Sequence, residues 1–418
     1  MSMLTPHLVR INDALHYENV ALADIAEAYG TPTYVYSRAT IVENFRAYKE
    51  AFTAQKPLIC YAVKANSTLA VLAILAAEGA GFDVVSIGEL QRVIAAGGDP
   101  GKVIFSGVAK RADEIAFALR QNIYCFNIES ESELYRVNAV AAELGKRARI
   151  TFRINPDVDP KTHPYISTGL KSNKFGVAHE QAVRLYKLAA SMRSIEVHGI
   201  ECHIGSQITE LSPFVDALRR LLSLVDQLKA EGIEIEHLDI GGGRGIVYEG
   251  ETLTPMVDFA QAVQSEMKGR ALQLLLEPGR SIVGNAGLLI TRVEFLKPGE
   301  TKNFAIVDAA MNDLLRPTLY DAFHPVAAVQ SRAREAMRYD VVGPVCESGD
   351  WLAKDRMLSL EAGDLLAVLC TGAYGMSMAS NYNTRMRPAE IMVENGVMHL
   401  VRERERFEDL IKHERIIV

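Results

Sequence analysis

The stretch PLICYAVKANSTLAVLAILAAEGAGFDVVSIGEL, residues 57–90, sets the pattern on which the predicted fold depends. Two short apolar runs of strand type, Leu58–Val63 and Phe82–Ser86, are separated by a longer stretch, and a helical pattern follows over Ile87–Ala96. Alternating strand and helix patterns are typical of parallel βαβ units. This part of the chain therefore predicts parallel strands that are joined by helices.

The same alternation continues toward the C-terminus. Six more strand candidates follow, at Val103–Ser106, Ile123–Asn127, Arg149–Asn155, Val197–Ile204, His237–Ile240 and Leu272–Leu276. Helical patterns between them include Ala112–Gln121, Glu131–Leu144 and Phe214–Ala230. Eight strand–helix units in roughly 220 residues suit a (β/α)8 TIM barrel. A doubly wound open sheet is the competing interpretation, and the number of units favours closure.

The pattern changes after Gly284. Six strand candidates joined by turns follow, at Leu288–Leu296, Phe304–Asp308, Tyr339–Val342, Leu365–Cys370, Glu390–Val393 and Met398–Arg402. They predict an all-β domain, either a sandwich or a small barrel. We therefore expect three parts: an N-terminal segment 1–34 that joins the β domain, a barrel over 35–284 and a C-terminal β domain over 285–418.

Bulk properties exclude several classes of function. A chain of 418 residues with 49% hydrophobic residues can bury a sizeable core, and two domains are expected at this length. The net charge of −7 argues against nucleic-acid and anionic-membrane partners. Five scattered cysteines without a Cys-x-x-Cys pair, and an N-terminus without a signal-peptide pattern, predict a cytoplasmic protein with reduced thiols and no metal site.

Chemistry is expected where the barrel strands end, because TIM-barrel active sites lie at the carboxyl ends of the strands. Strand one runs into Lys64, and burial of an amine lowers its pKa and makes it a better nucleophile toward an aldehyde. Taken alone, Lys64 is better explained as a lysine that extends to the barrel rim.

Three other strand ends carry chemically useful groups. Strand six ends near His203 and Ser206, strand seven runs into Gly241–Gly243, and strand eight into Glu277. Glycines after strand seven let backbone N–H groups approach a phosphate, although they also suit a tight turn. His203 alone is more often structural, and Glu277 alone suits a rim ion pair. Their combination predicts a site for pyridoxal phosphate, which needs an amine, a phosphate cradle, a stacking ring and an acid.

Eight motifs in order then identify a family. The chain resembles the fold-type III pyridoxal-phosphate decarboxylases, and within them the branch that acts on meso-diaminopimelate. The resemblance covers nearly the whole chain, and its motifs are YAVKAN (61–66), GFDVVSIGEL (81–90), HIGSQ (203–207), GGG (241–243), EPGR (277–280), RPTLYDAFH (316–324), GPVCESGD (343–350) and GAYGMSMASNYNTRMRP (372–388).

The resemblance implies a role for each site residue. It implies that Lys64 binds the cofactor covalently, that His203 stacks on its ring and that Glu277 pairs with the ring nitrogen. Pro278 and Arg280 are further implied cofactor contacts. The implied phosphate ligands are Ser206, Gly243, Gly279 and Tyr374. Cys346 is the implied proton donor. The implied substrate contacts are Arg280, Arg316, Tyr320, Glu347 and Tyr374. The family is a homodimer, and the resemblance implies that Cys346 and Glu347 enter the neighbouring subunit's site.

The residues also bear on the reaction and the substrate. Glu277 would keep the ring nitrogen protonated and favour decarboxylation, whereas an arginine there would suit racemisation. Arg280 and Arg316 can bind a distal carboxylate in fork geometry, and Glu347 can bind a distal ammonium. Arg316 therefore points to meso-diaminopimelate as substrate. The resemblance then implies L-lysine and carbon dioxide as products, at the last step of lysine biosynthesis by the diaminopimelate route. A surface arginine before Pro317 is the alternative explanation.

Three other functions compete with this hypothesis. The first is a decarboxylase of the same fold that acts on ornithine, arginine or a carboxylated polyamine. The second is a non-catalytic pyridoxal-phosphate carrier, and the length of the chain counts against it. The third is a phosphate-sugar enzyme without a cofactor. The segment His163–Gly176, rich in polar and turn residues, is our candidate for a lid.

Overall fold

The computed structural model describes residues 5–158, 168 and 173–417. The chain divides into two compact units. One, here called the barrel unit, consists of Asn44–Ile246 and Thr252–Ser281. The other, here called the sheet unit, consists of Met1–Glu43, Val247–Glu251 and Ile282–Val418.

The N-terminal part of the chain contributes strands and a helix to the sheet unit. Strands β1 (Leu8–Ile11), β2 (Ala14–Tyr17) and β3 (Val20–Ala21) form a small sheet of three strands in that order. Helix α1 (Leu22–Tyr29) follows and buries Leu22 and Ile25. Strand β4 (Thr33–Ser37) and helix α2 (Arg38–Ala51) come next, and α2 leads into the barrel unit.

The barrel strands alternate with helices along the chain. The strands are β5 (Leu58–Ala62), β6 (Gly81–Val84), β7 (Val103–Phe105), β8 (Cys125–Ile128), β9 (Ala148–Asn155), β10 (Val177–Ala178), β11 (Ile195–Glu201), β12 (His237–Asp239) and β13 (Gln273–Leu276). The helices are α3 (Leu69–Ala77), α4 (Ile87–Ala95), α5 (Ala112–Gln121), α6 (Glu131–Glu143), α7 (His179–Ala190), α8 (Ser212–Ala230), α9 (Met256–Glu266) and the single turn α10 (Arg280–Val283).

Eight of these strands close into a parallel barrel. The closed path runs β5, β6, β7, β8, β9, β11, β12 and β13, and β13 pairs again with β5. The short strand β10 pairs with β9 beside this path. The predicted (β/α)8 TIM barrel is thus confirmed, and the open doubly wound sheet is wrong.

Local sequence explains where the barrel helices begin. The side chain of Ser86 accepts a hydrogen bond from the backbone N–H of Glu89 at 3.2 Å, and Ser130 accepts one from Glu133 at the same distance. Such N-caps satisfy donors that have no partner within the helix. These serines therefore fix the transitions from β6 to α4 and from β8 to α6.

The sheet unit is built on a second sheet of nine strands. Its elements after the barrel are β14 (Gly287–Lys297), β15 (Asn303–Val307), α11 (Arg316–Tyr320), β16 (Val326–Ala328), β17 (Met337–Val342), β18 (Trp351–Leu358), β19 (Leu365–Val368), β20 (Ala389–Glu394), β21 (Val397–Arg402) and α12 (Phe407–Ile411). The main path is β18-β17-β15-β14-β4-β20-β21, and β19 joins β14 to β16. Strands β16 and β18 were not predicted from the sequence.

This second sheet is mixed rather than purely antiparallel. Strand β4 pairs antiparallel with β14 and parallel with β20, and β15 pairs parallel with β17. Its core brings N-terminal and C-terminal residues together, including Tyr17, Val35, Ile290 and Ile391, which are at most 1% exposed. The separate β domain is confirmed as a mixed β-sheet domain.

Most of the candidate lid, His163–Gly176, lies outside the described residues, which end at 158 and, apart from residue 168, begin again at 173. In the part of the chain that is described, no helix has the length and apolar character needed to cross a bilayer.

Candidate active site

Lys64 lies in a short 3-10 turn, Val63–Ala65, directly after β5. Its Nζ atom is 3.0 Å from Oδ2 of Asp83, and the Lys64 side chain is 36% exposed whereas that of Asp83 is completely buried. The ion pair follows from strand pairing, because Ala62 and Asp83 are in register on β5 and β6. Asp83 was not predicted, although an aspartate inside the apolar run GFDVV was a visible signal.

The glycine triplet after β12 lies against His203. The backbone N–H of Gly242 donates to Nδ1 of His203 at 3.2 Å, so Nδ1 is an acceptor and a neutral ring carries its proton on Nε2. Burial lowers the pKa of His203 well below its usual value, and the charges of Arg153 and Lys64 lower it further. The ring is therefore neutral at pH 7, which suits stacking on another ring.

Two positions of the triplet require glycine because the backbone of another segment lies too close for a side chain. Gly241 has φ +67°, and a Cβ there would lie 2.6 Å from the carbonyl oxygen of Cys202. A Cβ at Gly242 would lie 2.1 Å from the carbonyl oxygen of Glu277. These two glycines therefore let the backbone of the turn pack directly against Cys202 and Glu277.

Glu277 lies immediately after β13 and is 4% exposed. Its Oε1 atom has no hydrogen-bond partner in the structure. Burial raises the pKa of Glu277 well above its usual range, the nearby carboxylates raise it further, and Lys64 opposes them. A buried carboxyl oxygen without a donor is costly unless a ligand supplies one.

The residues that follow Glu277 complete this end of the barrel. A Cβ at Gly279 would approach the side chains of Ala62 and Ala65 to 3.1 Å, and the carbonyl oxygen of Pro278 accepts the N–H of Ala62 at 3.0 Å. Arg280 is buried and donates from Nη2 to Oγ of Ser206 at 3.1 Å. The barrel unit thus brings together the following predicted residues: Lys64, His203, Ser206, Gly243, Glu277, Pro278, Gly279 and Arg280.

The sheet unit positions Arg316 at the start of α11. Arg316 is 6% exposed, its Nη1 atom lies 2.8 Å from Nε2 of His324, and its guanidinium lies 4.9 Å from the ring centre of Tyr248. Arg316 is therefore a buried residue held in a fixed orientation, which excludes a surface arginine. Tyr320, four residues later, is partly exposed on the same helix.

Cys346 and Glu347 are exposed and lie in the loop between β17 and β18. Asp350 shapes this loop, because its Oδ2 atom accepts the N–H of Val345 at 2.7 Å and its Oδ1 accepts that of Met311 at 2.6 Å. The loop therefore presents an accessible thiol and an accessible carboxylate side by side.

A second segment of the sheet unit, which contains Tyr382 and Asn383, makes hydrogen bonds to the same loop. The hydroxyl of Tyr382 donates to Oε1 of Glu347 at 2.5 Å, and the side-chain oxygen of Asn383 accepts the N–H of Cys346 at 3.1 Å. The sequence analysis missed both residues, although they belong to the motif 372–388. Tyr374, which it did single out, is partly exposed and has a left-handed backbone with φ +57°.

These two sets of residues have complementary chemistry. The barrel set offers an amine, a neutral imidazole, a glycine-rich turn, an arginine and a buried acid. The set in the sheet unit offers an arginine, two tyrosines, a thiol and a carboxylate. Among the described residues, no cluster of histidine, cysteine or acidic side chains could hold a metal ion.

Comparison with known proteins agrees with this chemistry. Residues 38–284 match the model of the pyridoxal-binding domain of pyridoxal-dependent decarboxylases. The diaminopimelate decarboxylase of Vibrio cholerae is 57% identical over 94% of this chain and 94% of its own length. The structure of the Helicobacter pylori diaminopimelate decarboxylase with L-lysine has a TM-score of 0.91 and 45% identity, over 94% of this chain and 98% of that one.

A second solved structure extends the likeness. The diaminopimelate decarboxylase of M. jannaschii in complex with L-lysine has a TM-score of 0.94 and 39% identity, over 99% of this chain and 98% of that one. Identity at this level over the full length shows common family membership. The chain therefore belongs to the diaminopimelate decarboxylases, within the family of pyridoxal-dependent decarboxylases.

Proposed function

We propose that the residues described above bind the cofactor and the substrate and catalyse the conversion of meso-diaminopimelate to L-lysine and carbon dioxide. Diaminopimelate decarboxylation is the activity of this chain, pyridoxal phosphate is its cofactor, and lysine biosynthesis is its context. The structural observation that best supports the assignment of roles is that two barrel strands end in suitable groups: β5 runs into the partly exposed Lys64, and β13 runs into Glu277, whose buried Oε1 atom has no hydrogen-bond partner.

The barrel residues fit the cofactor. Lys64 would bind the cofactor covalently through its amine. Glu277 would accept a hydrogen bond from the ring nitrogen through Oε1, an oxygen that has no donor in the structure. His203 would stack on the ring. Gly243 and Gly279, with Ser206 and Tyr374, would bind the phosphate. Bound pyridoxal phosphate supplies an electron sink for the charge that remains when carbon dioxide leaves.

Two arginines would recognise the substrate's carboxylates. The fork of a guanidinium matches a carboxylate, and Arg316 is oriented for this by His324 and Tyr248. Arg280 is buried beside Ser206. Glu347 would bind the distal ammonium, with Tyr320 and Tyr374 as further contacts. A substrate with both a distal ammonium and a distal carboxylate uses all these groups, whereas ornithine has no distal carboxylate for Arg316 to bind.

Cys346 would return a proton to the carbon that has lost its carboxylate. Its thiol is exposed and lies beside Glu347, so a substrate held by Glu347 would be within reach of it. We further propose that the protein is a homodimer in which each subunit lends Cys346 and Glu347 to the other's barrel. We also propose a cytoplasmic location, supported by five free cysteines in the described chain.

The test is a paired measurement on the purified protein. We expect visible or near-ultraviolet absorbance from the covalently bound cofactor, and carbon dioxide release with meso-diaminopimelate that is much faster than with ornithine or arginine. Lysine should appear in equal amount to carbon dioxide. Faster release from ornithine or arginine would overturn the assignment of Arg316 and Glu347.

A further inference from the structure

His324 is a completely buried histidine of the sheet unit that the sequence analysis did not single out. Its Nδ1 atom lies 2.9 Å from the carbonyl oxygen of Leu369, and its Nε2 atom lies 2.8 Å from Nη1 of Arg316. Each nitrogen of the ring therefore has a defined hydrogen-bond partner. The chemistry of these two partners determines where the ring carries its hydrogen.

The protonation state of His324 follows from what its partners can do. A carbonyl oxygen only accepts hydrogen bonds, so Nδ1 carries a hydrogen and donates it to Leu369. A guanidinium only donates, so Nε2 carries no hydrogen and accepts one from Arg316. The ring is therefore neutral, in the tautomer that has its hydrogen on Nδ1.

Paired strands fix the position of the His324 ring. Strands β16 and β19 run antiparallel, with Val326 opposite Val368. The pairing continues one residue further, because the N–H of Leu369 donates to the carbonyl oxygen of Pro325 at 2.8 Å. His324 therefore lies beside the end of β19, where the carbonyl oxygen of Leu369 accepts its Nδ1–H.

The other two side chains of this arrangement are Arg316 and Tyr248. Helix α11 begins at Arg316 and ends before Asp321, whose left-handed backbone has φ +50°. The chain then returns, so that His324, eight residues after Arg316, contacts it. The guanidinium lies 4.9 Å from the ring centre of Tyr248, and the rings of Tyr248 and His324 meet edge to face with centres 5.4 Å apart. Arg316 is thus held at one edge by His324 and on one face by Tyr248.

A histidine suits this position because it orients a cation without neutralising it. A carboxylate in place of His324 would pair with Arg316 and compete with a carboxylate of the substrate, whereas a neutral imidazole leaves the positive charge intact. A guanidinium with a fixed plane also loses less side-chain freedom when a ligand binds. The contact with His324 therefore favours the binding of a carboxylate to Arg316.

We propose that His324 is a positioning residue that fixes the plane of the Arg316 guanidinium and so determines the affinity for ligands with a distal carboxylate. The inference rests on the proposed function for the role of Arg316 in substrate binding. The contribution of His324 should then depend on the ligand: it should be present for ligands that have the distal carboxylate and absent for those that lack it.

Two amines distinguish this role from a general effect on the site. L-lysine keeps the carboxylate that meso-diaminopimelate does not lose as carbon dioxide, whereas the diamine cadaverine has no carboxylate. Calorimetric titration of the holoenzyme with each of them measures affinity without turnover. The ratio of the two affinities is therefore the informative quantity.

His324→Asn and His324→Gln separate the two contacts of the ring. Asparagine can donate to Leu369 but is too short to reach Arg316, whereas glutamine carries an acceptor to the position of Nε2. We expect His324→Asn to weaken binding of L-lysine about tenfold and His324→Gln less than about threefold. The affinity for cadaverine and the cofactor content should stay unchanged in both variants.

The matched control is His237→Asn, at a buried histidine that begins β12 of the barrel unit. Nε2 of His237 lies 2.9 Å from Oγ1 of Thr151, so this variant also loses a buried hydrogen bond of an imidazole. It should leave the affinity for both amines unchanged. A double-mutant cycle then shows whether His324 acts through Arg316, because His324→Asn should add little to the loss caused by Arg316→Met.

A second measurement decides the matter if His324→Asn does not fold. Nitrogen NMR of the holoenzyme labelled at its histidines, with the His324 signals assigned from His324→Gln, should show a hydrogen on Nδ1 and none on Nε2. A hydrogen on Nε2, an unchanged affinity for L-lysine in His324→Asn, an equal loss for cadaverine or in His324→Gln, or additive effects in the cycle would overturn the inference. Loss in Arg316→Met without loss in His324→Asn would leave the proposed role of Arg316 intact, whereas unchanged L-lysine affinity in Arg316→Met would overturn both.

Discussion

Nζ of Lys64 lies 3.0 Å from a carboxylate oxygen of Asp83, across the pair of strands β5 and β6. Asp83 is completely buried while the Lys64 side chain is 36% exposed, so a fixed anion holds an accessible amine. An ion pair of this kind orients the amine without closing it off from an incoming aldehyde. The contact supports the proposal that Lys64 is the residue to which the cofactor is covalently attached.

Lys64→Ala should abolish both the absorbance of covalently bound cofactor and turnover, because no other amine is assigned to the aldehyde. Borohydride reduction followed by denaturation and mass measurement would show whether cofactor remains attached. The matched control is Lys110→Met. Lys110 lies in the barrel unit too, but it is buried and contacts Glu133 at 2.6 Å, so its loss should lower Tm yet leave covalent cofactor in place. Attached cofactor in Lys64→Ala would refute the assignment.

Arg316→Lys should raise KM for meso-diaminopimelate and leave cofactor content unchanged. Lysine keeps the charge but loses the fork, and a bidentate contact in a closed site is worth on the order of 1.5–3 kcal/mol. Steady-state kinetics with cofactor absorbance in parallel would measure both quantities. Arg356→Lys is the control, because Arg356 stacks 3.9 Å from the ring of Phe323 and has no proposed substrate contact. Equal KM values for Arg316→Lys and wild type would show that Arg316 does not bind the distal carboxylate of diaminopimelate.

Glu277→Gln should slow decarboxylation roughly 10²-fold, as expected for the loss of a preorganised electrostatic partner. The amide cannot stabilise a protonated ring nitrogen, so the electron sink is weakened while the cofactor stays attached through Lys64. Single-turnover release of carbon dioxide, measured on protein with full cofactor absorbance, gives the rate of the chemical step. Loss of cofactor with an unchanged rate per bound cofactor would make Glu277 a structural residue.

Mixing Lys64→Ala protein with Cys346→Ala protein should restore about a quarter of wild-type activity. Random exchange makes half of the dimers mixed, and one of the two sites in a mixed dimer then contains both intact residues. Two different affinity tags would prove that subunits have exchanged. Proven exchange without recovery would show that Cys346 does not serve the barrel of the other subunit.

Tyr382→Phe should raise KM for meso-diaminopimelate about threefold and change kcat less, because Glu347 loses the hydroxyl that holds it at 2.5 Å. Tyr382 is 44% exposed, so the fold should tolerate the change. The split between KM and kcat, with unchanged Tm, is the informative readout. Tyr135→Phe is a control at a similarly exposed tyrosine of the barrel unit. Identical kinetics in the two variants would exclude a positioning role for Tyr382.

Periodicity was sufficient to predict the barrel because its strands are buried on both sides. Phe82, Ile104 and Leu275, for example, are fully buried, so short apolar runs stand out between helical patterns. Strand β18 escaped prediction for the opposite reason. Its interior residues Lys354 and Asp355 face solvent, and their charges conceal a strand that tertiary pairing with β17 stabilises.

The candidate site was predictable only where a motif or a strand end revealed it. Lys64 and Glu277 stand at strand ends, and the resemblance supplied Arg316 and Cys346. Asp83 sits inside the apolar strand β6, where spacing alone does not distinguish a buried acid from an edge position. Tyr382 acts on Glu347 across 35 residues of sequence, so only the folded chain reveals this contact.

Strand β4 has a consequence for how the protein is made. Thr33–Ser37 pairs with β14 and β20, and both partners are translated after all eight barrel strands. At bacterial or eukaryotic elongation rates, β4 waits on the order of tens of seconds for β20 to leave the ribosome. Meanwhile the barrel sequence is complete and can begin folding from local βαβ contacts. Nascent chains stalled before Ala389 should therefore leave the edge of Thr33–Ser37 that pairs with β20 accessible to chaperones while the barrel is already protected.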